Sequence, residues 1–226
     1  GGTGGIDSFE THKITTSADR AYSVQAVDVD GDGDMDVLSA SPGDNTIAWY
    51  ENDGSESFSS HPITTSADYP VCVYAVDLDG DGDMDALSAS IDDDTIAWYE
   101  NDGSENFTAH PITTTADSAN SVYAADVDGD GDLDVLSASY DDDTIAWYEN
   151  DGSENFTAHT ITTSADGAES VYAADGDGDG DMDALSTSFA DDTVAWYEND
   201  GSENFTAHVI TTPADYARSI YAADVD

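Results

Sequence analysis

The chain has 226 residues, of which 51 are acidic and only three are basic (Lys13, Arg20 and Arg218), giving a formal net charge of −48. Nucleic acid and anionic membrane surfaces would repel such a chain, yet hydrophobic residues at 38% in fixed register exclude a disordered polyanion. Cys72 is the sole cysteine, so no internal disulfide can form, and no apolar run approaches the roughly 20 residues that span a bilayer.

The opening Gly-Gly-Thr-Gly-Gly (residues 1–5) reads as a linker or flexible N-terminus without a signal-peptide pattern, and residues 6–226 as one repeat domain. Trp49, Trp98, Trp147 and Trp196 are spaced 49 residues apart, as are His12, His61, His110, His159 and His208. Asp92 to His110 is identical to Asp141 to His159. A period of this length with several short strands per repeat is the signature of propeller blades, so the expected fold class is an all-β propeller of four-stranded blades.

The predicted elements begin with Ser8 to Thr15 (SFETHKIT), which matches only the fourth strand of a repeat. Four complete units follow. In the third, Ser121 to Asp126 (SVYAAD) is a strand of small and apolar residues suited to a crowded axis, followed by an aspartate-glycine loop and a second strand, Asp134 to Ser139. Asp141 to Asp143 turn the chain into Thr144 to Glu149 (TIAWYE), whose β-branched and aromatic residues favour a strand. Asn150, Asp151 and Gly152 tolerate positive φ and make a turn into the fourth strand, Phe156 to Thr163. Ser219 to Asp226 matches a lone first strand that stops inside the next loop. Two strands of a shared terminal blade are therefore missing. Either the sequence is a segment of a longer repeat protein, or a neighbouring molecule completes the ends.

The loop between first and second strands carries the chemistry. Asp28-Val-Asp30-Gly-Asp32-Gly33-Asp34-Met-Asp36 recurs at 77–85, 126–134 and 175–183. Carboxylates at loop positions 1, 3, 5 and 9 converge when the chain turns sharply at the position-6 glycine, leaving position 7 to offer its backbone carbonyl. Several charged hard oxygens in a flexible loop suit Ca²⁺ better than Mg²⁺, and transition metals would ask for imidazole or thiolate, which the loop lacks. Position 12 is serine (Ser39, Ser88, Ser137, Ser186), where an EF-hand or dockerin loop needs an acid.

On these loops and this period, the chain resembles the VCBS and FG-GAP class of calcium-binding repeats, best known from integrin α-subunit propellers, over nearly everything from Ile6 to Asp226. The resemblance implies one Ca²⁺ per complete repeat. It implies as ligands Asp28, Asp30, Asp32, Asp34 and Asp36, then Asp77, Asp79, Asp81, Asp83 and Asp85. The third and fourth sets are Asp126, Asp128, Asp130, Asp132 and Asp134, and Asp175, Asp177, Asp179, Asp181 and Asp183; Asp224 and Asp226 match the start of a fifth. The Phe-Gly and Gly-Ala-Pro segments of the integrin version are absent, so its ligand binding does not carry over. Gly176 replaces the apolar residue at loop position 2 (Val29, Leu78, Val127), which predicts the weakest site in the fourth loop.

Other features read as structural. The histidines recur with everything around them, no segment breaks the repeat as an active site would, and no nucleophile elbow is present. The Trp-Tyr pairs suit packing between blades, with a sugar-stacking platform as the alternative. Asn106, Asn155 and Asn204 match the N-glycosylation acceptor pattern. The functional expectation is a non-enzymatic, calcium-stabilised structural or adhesive module, secreted or at a cell surface. Its partners would be protein, glycan or copies of itself, without nucleic acid or membrane insertion. A calcium-dependent lectin and an accessory domain of a secreted hydrolase are the competing expectations.

Overall fold

Each repeat folds as one antiparallel sheet because its apolar, β-branched stretches are separated by loops rich in Asp, Asn and Gly, which accept the left-handed backbone that tight turns require. A computed structural model describes residues 11–225. The first sheet holds β1 (Ser23–Val27), β2 (Asp36–Ser41), β3 (Thr46–Asn52) and β4 (Phe58–Thr64). The second holds β5 (Pro70–Val76), β6 (Asp85–Ser90), β7 (Thr95–Asn101) and β8 (Phe107–Thr113). The third holds β9 (Ala119–Ala125), β10 (Asp134–Ser139), β11 (Thr144–Asn150) and β12 (Phe156–Thr162). The fourth holds β13 (Ala168–Ala174), β14 (Asp183–Ser188), β15 (Thr193–Asn199) and β16 (Phe205–Thr211). Strands pair in sequence order within every sheet. This is the blade of a propeller.

The strands agree with the predicted ones to within two residues. The first strand of the third sheet starts at Ala119 rather than Ser121, because a bulge between Ala138 and Ser139 lets the longer strand stay paired with β10. The β11–β12 turn holds the expected positive φ at Gly152 (71°) and another at Glu154 (63°), closed by the Asp151 N–H donating to the Asn155 carbonyl at 3.2 Å. The two lone terminal strands are corrected. Residues 219–225 form no strand, since no second strand lies beside them to accept a ladder; of the N-terminal piece, 11–15 form none and 8–10 lie outside the described residues.

Sheets stack on one another through their first strands: β1, β5, β9 and β13 run side by side, and each second strand β2, β6 and β10 faces the first strand of the next sheet. A core forms at every seam. Leu87, Ile96 and Trp98 of the second sheet pack with Val122, Val135 and Tyr148 of the third, and the equivalent Leu136, Ile145 and Trp147 of the third pack with Val171, Ala184 and Tyr197 of the fourth. Backbone bonds cross the seam too, with the Val73 and Val171 N–H groups donating to Ser23 and Ser121 Oγ at 3.3 Å. Cys72 stands at the equivalent serine position, a free thiol whose pKa burial raises. The half-buried Tyr74, Tyr123 and Tyr172 rings and the exposed Tyr221 ring tilt against each other in a row, 4.5–5.1 Å between centroids.

Trp49, Trp98 and Trp147 are each 1% exposed because the next sheet covers them, whereas Trp196 has only the strandless 212–225 segment beyond it and is half-buried. Truncating Trp147 to alanine should cost about 3–5 kcal/mol and Trp196→Ala distinctly less, read as the difference in thermal unfolding. Equal losses would contradict the seam account.

Candidate metal centres

The aspartate loops are built by their own side chains. In the first, Asp28 Oδ1 accepts from the Gly31 N–H and its Oδ2 from Gly33, each at 2.9 Å; Asp30 and Asp32 accept from Asp32 and Asp34 N–H. Such Asx turns fold a carboxylate back on its own backbone. They need left-handed residues between them, supplied by Gly31 (φ 75°) and Gly33 (φ 95°).

The ninth position anchors each loop. Asp36 is fully buried, with Oδ2 accepting from the Val29 N–H at 2.9 Å and Oδ1 from the Asn52 N–H at 2.7 Å, where β3 ends. Asp85, Asp134 and Asp183 repeat both bonds. Burial pushes the Asp85 carboxyl up to about 6 and that of Asp134 up to about 7, against the lowering effect of these amides. Asp79 and Asp128 are also raised, by burial first and then by neighbouring carboxylates.

Ligand-capable oxygens converge within 4.8 Å of one another in every loop: Asp28, Asp30 and Asp32 in the first, Asp77, Asp79 and Asp85 in the second, Asp126, Asp128 and Asp134 in the third, Asp175, Asp177 and Asp183 in the fourth. Asp81, Asp130 and Asp179, at position 5, and Asp36, at position 9 of the first loop, stand outside these triads. Position 7 points elsewhere. The Oδ2 atoms of Asp34, Asp83, Asp132 and Asp181 crowd the space beside Gly54, Gly103, Gly152 and Gly201, where an added Cβ would collide with them. Asp224 is exposed in the strandless terminus, and Asp226 lies outside the described residues.

Two carboxylates at this separation repel by roughly 3 kcal/mol at an effective dielectric near 20, so each triad is unfavourable without a counter-charge. In the second loop, Asp77 Oδ1 is buried with no hydrogen-bond partner. An unpaired buried acceptor beside two further carboxylates fits a hard divalent cation, which would replace the missing donor. Asp175 and Asp177 of the fourth triad are exposed where their second- and third-loop counterparts are half-buried; Gly176 lacks the side chain that Leu78 and Val127 pack into a seam, and no strand among the described residues lies beyond the fourth sheet. The anchoring of Asp36 and its equivalents to the end of β3 was not foreseen. Its only trace in the sequence is the fixed 16-residue spacing to Asn52, Asn101, Asn150 and Asn199.

The other recurrent residues are structural. His61, His110, His159 and His208 stack on Trp49, Trp98, Trp147 and Trp196 at 4.6–4.8 Å, and their Nε2 atoms lie 2.7–3.0 Å from Glu51, Glu100, Glu149 and Glu198. Asn106, Asn155 and Asn204 sit in exposed β3–β4-type turns, donating to Asp102, Asp151 and Asp200.

A family model described as an FG-GAP-like repeat matches residues 28–88, 87–137, 126–186 and 177–226. No curated protein matches the sequence. Among solved structures, the chain is similar to the Vibrio cholerae biofilm matrix protein Bap1 (22% identity, TM-score 0.55, 81% of this chain and 27% of that one). It is also similar to a lectin of Agrocybe aegerita that recognises non-reducing terminal N-acetylglucosamine (19%, 0.58, 85% and 52%) and to a streptogramin B lyase (13%, 0.64, 93% and 62%). These likenesses concern the fold. The chain spans about half to three fifths of the lectin and the lyase.

The raised carboxyls give a pH signature. A carboxyl whose folded pKa exceeds its unfolded value near 3.9 contributes stability that is complete below that value and lost as pH rises through the folded pKa. In excess chelator, the melting temperature should therefore fall from pH 4 to pH 7, the window of Asp85 and Asp134. Millimolar calcium should flatten the fall. An identical profile with and without calcium would mean that no cation compensates these groups.

Proposed function

Because the chain belongs to the FG-GAP-like repeat family, we propose that it is a calcium-stabilised, non-enzymatic interaction module of a secreted or cell-surface protein. The observation that carries this reading is the recurrence of one carboxylate triad per blade, each within 4.8 Å. Asp28, Asp30 and Asp32 hold the first ion, and positions 1, 3 and 9 hold the others, with the remaining loop aspartates adding charge nearby. The ion supplies positive charge and nothing more. It ties each aspartate loop together and, in the second to fourth loops, reaches the end of the third strand through the buried ninth aspartate. Flexible loops with several waters' worth of open coordination suit the millimolar calcium found outside cells.

Catalysis is not part of the reading: the recurrent histidines stack on tryptophans and pair with glutamates, as His159 does with Trp147 and Glu149. A glycan-binding form of the module needs a surface other than the Trp-Tyr pairs, since Tyr148 and Trp147 are buried in a seam. Copies of the chain are a further class of partner. Val24 is 69% exposed where Val73, Val122 and Val171 are at most 4% exposed, so the outer face of β1 has the chemistry of an unstacked seam.

Calcium at a hundred times its dissociation constant should stabilise the folded chain by about 2.7 kcal/mol per site, and chelation should lower the melting temperature accordingly. An unchanged melt in excess EGTA would sink the proposal. In calcium titrations, Asp126→Ala should remove more of the stabilisation than Asp175→Ala, whose site is exposed. Sedimentation of Val24→Lys beside the unaltered chain separates self-association from other partners: assembly that survives the substitution does not use this face.

A further inference from the structure

Alternation of antiparallel strands puts the aspartate hairpins and the β3–β4-type turns at one end of every blade, and the β2–β3-type loops and first-strand entries at the other. At that second end the repeats stop being alike. One position reads Tyr22, Val71, Asn120, Glu169 and Arg218; a second reads Arg20, Tyr69, Ser118, Gly167 and Tyr216; a third reads Pro42, Ile91, Tyr140 and Phe189. Each series is spaced by 49 residues in a chain that elsewhere repeats 19 consecutive residues unchanged. Members of all three series line a single cavity of about 310 Å³: the whole of the first, Tyr69 and Ser118 of the second, and Ile91, Tyr140 and Phe189 of the third.

Its walls combine planar polar groups with rings. Glu169, with its side chain 11% exposed, accepts from Asn120 Nδ2 at 3.0 Å and from Arg218 Nη1 at 2.9 Å. The Arg218 guanidinium lies 4.8 Å from the Phe189 ring centroid, and Phe189 tilts between Tyr140 and Tyr216. Left-handed backbone occurs at this end as well as in the glutamate turns of the other. Arg20, Tyr69 and Tyr216 hold left-handed φ of 57–59°, a conformation unfavourable for bulky residues. Gly167 occupies the same place at φ 66°, so the fold accepts glycine there and does not require the aromatic side chains.

We propose that this mouth binds a neutral saccharide. The proposal deepens the interaction-module reading and rests on it. Anions are repelled by a chain of net charge −48. A cation finds Glu169 already matched by Arg218 and would have to displace it. What remains is an uncharged ligand with an apolar face for the Tyr140 and Phe189 rings and neighbouring hydroxyls for the amide, carboxylate and guanidinium. The volume lies at the lower end of small-ligand sites.

The test is an array of neutral mono- and oligosaccharides probed in saturating calcium, with hits measured by calorimetry and an arginine-rich peptide as the competing class. A neutral glycan should bind, and Tyr140→Ala and Glu169→Gln should each weaken it at least tenfold. Tyr69→Gly should also weaken it while leaving the melting temperature unchanged or raised, which a purely structural tyrosine would not do. An array without neutral hits, preference for the peptide, or hits that survive these substitutions would overturn the site. If the calcium-dependent melt is intact in the same samples, the saccharide site alone has failed; if that melt is absent, the module reading has failed first.

Discussion

Everything in a blade meets at the buried aspartate that ends each calcium-type loop. Asp134 takes one backbone N–H from the loop, at Val127, and one from the end of the third strand, at Asn150, each at 2.8 Å. A side chain thus does what a fourth backbone connection would do, holding a nine-residue loop against a hairpin that is not its neighbour in sequence. The cost is a carboxylate in an apolar seam, expressed in a pKa raised to about 7. A divalent ion beside it would relieve that cost. In the proposed reading, fold and metal site are one construction, and stability depends on the ion.

That construction explains why one end of the molecule is so uniform. The aspartate hairpins and the glycine turns beside them interlock: Asp132 occupies the space that a side chain at residue 152 would need. Any change on one side must be answered on the other. At the opposite end such crowding is not repeated from blade to blade: among the described residues it falls on Gly43, beside Asp19, and more loosely on Gly167, beside Tyr140 and Ala190. The loops of this end are held by backbone bonds that accept many side chains, as when the Ser118 and Gly167 N–H groups both donate to the aspartate Oδ1 of a preceding turn. Diversity can collect there without loosening the blades, which is a physical basis for a rigid base and a variable mouth in one fold.

The strand order, the seam residues and the aspartate loops were all legible in the sequence, because a 49-residue period displays each feature several times and removes the ambiguity of short apolar runs. The Trp-Tyr pairs read as packing between blades, and Trp147 and Tyr148 are buried there. The direction of the position-7 aspartates could not be read in this way. They share the spacing of their neighbours, and only the approach of Gly54 and its equivalents shows that the side chains turn away. The terminal pieces misled for another reason: Ser219 to Asp226 has the composition of a first strand, but a strand exists only where a partner accepts its hydrogen bonds.

By itself, the sequence determined the repeat, its β-character, its charge and the carboxylates gathered in each hairpin, since these follow from local composition and spacing. The tertiary structure alone decided which oxygens of each loop come within reach of one ion. It also decided that Tyr22, Tyr69, Tyr140 and Glu169, scattered over almost 150 residues, face a common cavity. Local chemistry is written along the chain, whereas convergence depends on how blades turn about a shared axis. That rotation is set by packing across the seams, which no single repeat contains.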